Sequence, residues 1–157
     1  MNLSQIGVIG TSKKEDERRV PIHPDHLIRL PQHVRTKLIF ETGYGVPFDI
    51  SDEDIAARGG GIASRKSILS DIGSVIIAKP VLSDLKEMKA GGMIWGYPHC
   101  EQQQEITQTA IDRKLTLIAF EDMFVWTPRG LWGGIHFIKI MKWQGMRCNS
   151  CPPTKRN

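Results

Sequence analysis

The chain has 157 residues, 40% hydrophobic and 24% charged, the balance of an ordinary globular protein with one domain and a core that needs no disulfide. Its formal net charge is +4, yet residues 1–122 hold 15 Lys and Arg against all 17 Asp and Glu, while Arg129, Lys139, Lys142, Arg147, Lys155 and Arg156 face no acid. The body therefore offers no electrostatic footprint for a nucleic acid, no run is apolar for long enough to span a membrane, and MNLSQIGVIG lacks the features of a secretory leader, so a cytoplasmic location is expected.

Gln5 to Gly10 reads as a first strand. After a charged segment, Pro24 and Asp25 suit the first turn of a helix that continues to Leu30 and stops at Pro31. Lys37 to Glu41 is a second strand, and TGYGVPF, Thr42 to Phe48, is a loop of turn residues. Ser51, with Asp54 three residues on, approximates a capping box for a helix that runs to about Arg58 and ends at Gly59-Gly60-Gly61. Ser64 caps a short helix through Leu69, Ser74 to Ala78 is the third strand, and Ser83 to Lys89 a short helix. Met93 to Gly96 is the fourth strand. Glu101 to Lys114 is a helix with Ile106, Ala110 and Ile111 as its apolar positions, and Leu115 to Phe120 is the fifth strand.

Strands alternating with helices predict an α/β domain with a mostly parallel sheet. After Glu121 the pattern fails. Trp126 to Gly130 reads as a loop, and the rest of the chain is an irregular tail whose last ten residues, CNSCPPTKRN, are expected to be disordered. Cys148 and Cys151 make one C-x-x-C, which cannot complete a four-ligand zinc site and lacks the βαβ context of a redox motif.

Two apolar runs, SVIIAKP and GGMIWGYPHC, each end at a proline with one titratable side chain beside it, Lys79 in the first and His99 in the second. Taken singly, each is by default a surface residue at a strand end. Together, inside an alternating pattern, they place an ammonium and an imidazole on one rim, because open α/β sheets bind ligands at the carboxyl ends of their strands.

The runs IGVIGTSKKEDERRVPIHP, ETGYGVPFDISDEDI, IIAKP, WGYPH and AIDRKLTLIAFEDMFVW, in this order from Gln5 to Trp126, resemble the N-terminal domain of the alanine dehydrogenase and pyridine nucleotide transhydrogenase family. The likeness is greatest to members of the N5-(carboxyethyl)ornithine synthase type. It implies a flavodoxin-like or Rossmann-like substrate domain over residues 1–126, followed in such proteins by a separate dinucleotide-binding domain. By motif position it makes His99 the catalytic residue and Arg19 and Lys79 the substrate-binding residues, with His23 and Tyr97 nearby. AKP stands where alanine dehydrogenase has Lys-Glu-Pro and YPH where it has Phe-Leu-His, which weakens the assignment to alanine more than the chemistry.

The residue types suit that chemistry. An Arg fork matches the carboxylate of a 2-oxo acid, and a Lys ammonium suits its carbonyl oxygen. An imidazole passes the proton needed as a carbinolamine loses water to give an imine. The expected ligand is a small 2-oxo acid or amino acid. NAD(P) is the cofactor implied for the full-length family, which is expected to form homo-oligomers. No G-x-G-x-x-G turn between a strand and a helix occurs here, so no tight NAD(P) binding by this chain is expected.

In relatives the corresponding passage reads His-Thr-Phe-Tyr-Lys-Asn-Asn-Glu, then Met or Leu, then Ala-Gly-Tyr. Read from the third base of the His136 codon, the codons for His136 to Met146 permit Phe-Tyr-Lys-Asn-Asn-Glu-Met-Ala-Gly-Tyr, with Glu and Ala forced. Residues 127–157 are thus expected to be a tail that is out of frame from Phe137, in a fragment of a two-domain enzyme that is inactive alone. The rival readings are a stand-alone module that binds a 2-oxo acid or amino acid without catalysis, and a basic-tail nucleic-acid binder.

Overall fold

The structure, a computed structural model, describes residues 5–122, 124–126 and 132–134. The backbone groups into two units, Met1–Phe120 and Glu121–Asn157. In the first, six short strands form one all-parallel sheet: β1 (Ile6–Ile9), β2 (Leu38–Glu41), β3 (Gly61–Ala63), β4 (Ser74–Ile77), β5 (Met93–Gly96) and β6 (Thr116–Ala119). Their order across the sheet is β3-β2-β1-β4-β5-β6, the Rossmann order.

Neighbouring β1 residues serve opposite faces, as the pleat requires. Val8 pairs with Phe40 and packs among Leu27, Leu38, Tyr44 and Ile55. Ile9 pairs with Ile77 and packs among Val75, Leu85, Met88, Ile94 and Ile106. Gly7 lies where a Cβ would come within 2.3 Å of Ile68 Cγ2, so only glycine allows that close approach of the strand to its cover.

The helices follow from their caps. Ser51 Oγ accepts from Asp54 N and Asp54 Oδ2 accepts from Ser51 N, the reciprocal pair expected at the start of α2 (Asp52–Ala57), which buries Ile55. Ser64 caps α3 (Arg65–Ser67), which runs on into a π-turn over Ile68–Ile72 and ends at Gly73, φ +76°. Leu82–Glu87 and Gln104–Asp112 are helical and cover the Ile9 face through Leu85, Ile106 and Ala110.

Local details differ from expectation. The helix expected from Pro24 is present as a 3-10 helix over Pro24–Arg29, and a separate short helix, α1 (Gln32–Arg35), follows Pro31. With α1 placed, Leu82–Glu87 is α4 and Gln104–Asp112 is α5. Gly59-Gly60-Gly61 does more than end α2. Gly61 opens the edge strand β3, where a Cβ would come within 2.5 Å of Ile39 Cδ1, and a glycine-led strand of three residues carries no β signal in sequence. The helix expected from Glu101 begins as a 3-10 turn at Cys100–Gln102 and becomes α5 only at Gln104; Ile111, one residue past the inward stripe of Ile106 and Ala110, is 65% exposed.

In the second unit, β7 (Phe124–Trp126) and β8 (Trp132–Gly134) form an antiparallel ladder with Val125 opposite Gly133. The sequence suggests a loop from Trp126 and no further period; three-residue strands are too short to show alternation. The expected tail disorder, the C-x-x-C and the frame-shifted passage lie outside the described residues. Among the described residues no helix is long and apolar enough to cross a membrane.

Candidate functional site

From β1 the chain fills one side of the sheet with β2 and β3, then returns to β4 on the other side of β1. That reversal opens a crevice at the carboxyl ends of β1 and β4, the place where doubly wound sheets take ligands. Arg19 lies in the loop that leaves β1, Lys79 in the loop that leaves β4, and His99 in the loop that leaves β5. All three expected residues therefore belong to one rim, on three adjacent strands.

The β1 loop is pinned at both ends. At its start, Glu41 Oε2 accepts from the backbone N–H groups of Gly10 and Thr11, both at 3.0 Å. Arg65 binds Glu41 Oε1 at 3.2 Å, the Thr11 carbonyl at 2.7 Å and Asp84 Oδ1 at 2.9 Å. Asp84, fully buried, accepts from Val81 N through its other oxygen and so secures the start of α4. Lys13 joins from the surface, 3.1 Å from Glu87 and 3.5 Å from Asp84. At the far end, the buried Tyr44 hydroxyl donates to the Ile22 carbonyl and accepts from Ile22 N, a state that burial keeps protonated by raising the phenol pKa.

Between these anchors, Glu17 holds Arg19. The guanidinium donates from Nε to Glu17 Oε1 at 2.7 Å and from Nη2 to Oε2, leaving Nη1 without a hydrogen bond among the described residues. Burial alone would raise the Glu17 pKa, but the hydrogen bonds and charge of Arg19 hold it below its ordinary value. The Glu17 hydrogen bonds in turn raise that of Arg19.

Tyr97 links the β1 and β5 loops. Its N–H donates to Ala78 O at 3.0 Å, extending the β4–β5 ladder one step past the strands, so Lys79 and His99 leave neighbouring tips. Arg19 Cζ lies 4.9 Å from the centre of the Tyr97 ring, a cation–π distance, and the His99 ring stacks with Tyr97 at 6.2 Å and 28°. His99 has φ +48°, left-handed backbone uncommon for a residue with a Cβ.

Lys79 has no carboxylate within ion-pair distance among the described residues. Burial, then the positive charges of Lys14 and Arg19, push its pKa below the ordinary lysine value, with Glu17 opposing. Ser12 fixes this crowding: its hydroxyl donates to Lys79 O at 2.8 Å and accepts from Lys14 N at 3.1 Å.

The structure thus brings Arg19 and His99 to the Tyr97 ring, and sets Lys79 within range of the Arg19 and Glu17 charges. His23 is elsewhere: it accepts from Asp25 N as the cap of the 3-10 helix and packs on Phe48 and His26, a use that Pro24-Asp25 already implies. Sequence reasoning missed Glu17, Glu41 and Arg65. Glu17 had a signal, its position two residues before Arg19; Glu41 at a strand end and Arg65 in a helical first turn had none.

A dinucleotide does not fit the turn after β1. The two amides that would meet a pyrophosphate there already bind the Glu41 carboxylate, and the segment beyond is a loop, not a helix N-terminus. Among the described residues no group of three or more His, Cys, Asp or Glu is placed to hold a metal.

Fold and rim together define a doubly wound α/β domain with a cationic site at its switch point. Residues 8–128 match the model of the alanine dehydrogenase/PNT N-terminal domain family, and the chain belongs to that family. It is 29% identical over 109 residues to an alanine dehydrogenase of Staphylococcus haemolyticus (strain JCSC1435), and 30% identical over 109 residues to alanine dehydrogenase 2 of Staphylococcus aureus (strain USA300). Each match covers 69% of this chain and 29% of the relative, so the chain spans under a third of the length of these proteins. An L-alanine dehydrogenase structure superposes with a TM-score of 0.65 at 26% identity, covering 80% of this chain and 34% of that one. The transhydrogenase of Sinorhizobium meliloti shares the fold, with a TM-score of 0.63 at 14% identity over 79% of this chain and 36% of that one.

Proposed function

We propose that this chain is the substrate-binding domain of an NAD(P)-dependent amino-acid oxidoreductase, with a 2-oxo acid or the corresponding amino acid as ligand. One arrangement carries the reading: Lys79, without a carboxylate partner among the described residues, stands beside Arg19 at the switch point of the sheet. A carboxylate supplies the charge that this crowding lacks. Arg19 takes it through Nη1, since Glu17 already holds Nε and Nη2. Lys79 takes the carbonyl oxygen and stabilises the charge that grows there when an amine adds to the carbonyl carbon. His99 gives the proton with which the carbinolamine hydroxyl leaves as water, forming the imine. Hydride from a nicotinamide would reduce such an imine to an amine.

Within this reading, the narrower proposal is an N5-(carboxyethyl)ornithine synthase-like reaction, in which the amine is ornithine's side chain; AKP and YPH at the two strand tips depart from the alanine dehydrogenase pattern. Homo-oligomeric assembly of a full-length enzyme and a cytoplasmic location belong to the same proposal. So does a shifted frame from Phe137 to Asn157 in a fragment of a two-domain enzyme. Synonymous codons that do not spell the family peptide in the shifted frame contradict that last element; an in-frame dinucleotide-binding domain downstream of a one-base slip supports it.

A second reading, a binding module without catalysis, is favoured by the Glu41 carboxylate occupying the amides after β1. Calorimetric titration with pyruvate and with alanine tests the ligand class that both readings share. Binding that is lost in K79A and in H99A supports that class, and no binding of either compound contradicts both readings. Reduction of a 2-oxo acid by the chain when NAD(P)H and an amine are added excludes the binding module.

A further inference from the structure

One side chain touches both ends of the loop that carries Arg19. At the start of the loop the Tyr44 ring lies against Gly10, where a Cβ would come within 2.7 Å of Tyr44 Cδ2, so glycine at the end of β1 makes the room for it. At the end of the loop the Tyr44 hydroxyl donates to Ile22 O at 2.7 Å and accepts from Ile22 N at 3.0 Å. The ring has little freedom of its own: it is buried, meets Phe40 edge-on at 4.9 Å, and follows a backbone N–H that donates to Glu41 O at 2.9 Å. Glu41 and Tyr44 thus hold the two ends of the loop from one turn after β2.

The closure reaches Arg19 through stiff chain. Pro21 fixes its own φ and confines Val20 before it, and Pro24 confines His23, which has φ −67° and ψ 131°. Few soft torsions therefore separate Ile22 from Arg19. Val20 and Ile22 also pack on the core below, but apolar contact is non-directional and fixes position less sharply than a pair of hydrogen bonds. On its other side Arg19 follows the exposed residues Lys14, Glu15, Asp16 and Arg18, a limb with no such anchor, in which Asp16 has φ +61°. Glu17 sets the rotation of the guanidinium, yet it belongs to the same loop and travels with Arg19. We infer that Tyr44 is a positioning residue for Arg19: its two bonds to Ile22 set the place of the β1 loop, and with it the reach of the guanidinium to the Tyr97 ring and to the carboxylate of a ligand. This rests on the substrate-site reading above, in which Tyr44 itself touches no ligand.

Tyr44→Phe keeps the ring and removes both bonds, and two measurements on the full chain separate a positioning role from a merely structural one. With 15N-labelled arginine, the NMR signal of Arg19 Nε–H reports the place of the guanidinium, and that of Arg113, whose Nη2 donates to Met88 O, is the control. The expected result is that the Arg19 signal shifts or broadens while Arg113 stays in place, and that pyruvate affinity, read by calorimetry, falls about tenfold, as for the loss of one charge-assisted contact. Pro21→Ala leaves the hydroxyl where it is and loosens the chain between Ile22 and Arg19. It is expected to move the Arg19 signal and the pyruvate affinity in the same direction, and it carries the test should Tyr44→Phe not fold. An unmoved Arg19 signal or an unchanged pyruvate affinity in the folded variant, or shifts of both arginines together, overturns the inference while the substrate-site reading stands. No binding of pyruvate by the native chain overturns both.

Discussion

The Arg19 guanidinium lies 4.9 Å from the centre of the Tyr97 ring, so the loop that leaves β1 is clasped to the loop that leaves β5 by one cation–π contact. Tyr97 also stacks on His99, and the positions of the fork and the imidazole are therefore not independent. Y97L keeps bulk and removes the ring's negative face, with a cost of about 0.5–2 kcal/mol if the contact is partly desolvated. Urea denaturation measures that loss. On the proposed reading, Y97L also weakens pyruvate binding although Tyr97 is assigned no bond to it.

Glu17 makes stability depend on acid. Its folded pKa is below the ordinary 4.5, so its contribution is fully present above that value and is lost as pH falls from 4.5 through the folded pKa. E17Q is expected to flatten the acid limb of a plot of urea midpoint against pH. At pH 7 the same variant loosens Arg19, and pyruvate affinity falls.

Lys79 acts in the opposite region. Its folded pKa lies below the ordinary 10.5, so the unfolded chain holds more protons between those two values and stability rises with pH across that window. A bound carboxylate restores the charged form. Ligand binding in that window is therefore accompanied by proton uptake, read by calorimetry in buffers of different ionisation enthalpy and absent in K79M.

His99 occupies left-handed backbone, where asparagine is tolerated and a β-branched residue is strained. H99N is expected to keep or slightly raise stability, and H99V to fall about 1–3 kcal/mol below H99N in urea denaturation. Neither variant is expected to bind the ligand as the native chain does, which separates the role of the backbone from that of the imidazole.

Arg65 is the structural counterpart of the site residues. It bridges Glu41 and the fully buried Asp84, so R65M leaves Glu41 without its cation and Asp84 with Lys13 alone at 3.5 Å, a change that costs about 3–5 kcal/mol. Gly96 is equally intolerant: a Cβ there would lie 2.1 Å from the Ile77 carbonyl oxygen, and G96A is expected to part the tips of β4 and β5. Thermal unfolding of both variants gives the check.

Much of this architecture was legible. The apolar runs at Ile6–Ile9, Leu38–Glu41, Ser74–Ile77, Met93–Gly96 and Thr116–Ala119 read as strands because parallel strands covered on both sides are apolar throughout. Ser51 and Ser64 announced their helices because a cap is a local bond. The rim was legible because Lys79 and His99 each follow a strand. The strand order was not, since it depends on pairings between distant residues such as Ile9 with Ile77. The Glu41–Arg65–Asp84 network was hidden for the same reason: each member is locally an ordinary charged residue, and only tertiary closure buries them together.

The central claim, that Lys79 and His99 face one carboxylate ligand, is tested most directly by NMR of the chain with 15N-labelled lysine and histidine. Lys89, whose side chain packs at Gly73 before β4, at the amino-terminal end of that strand, serves as the internal control. On adding pyruvate, the account predicts saturable shifts of the Lys79 Nζ and His99 ring signals with one common affinity, while Lys89 stays in place. Shifts of all lysines together in proportion to ionic strength, or a Lys79 shift with an unmoved His99, contradict it.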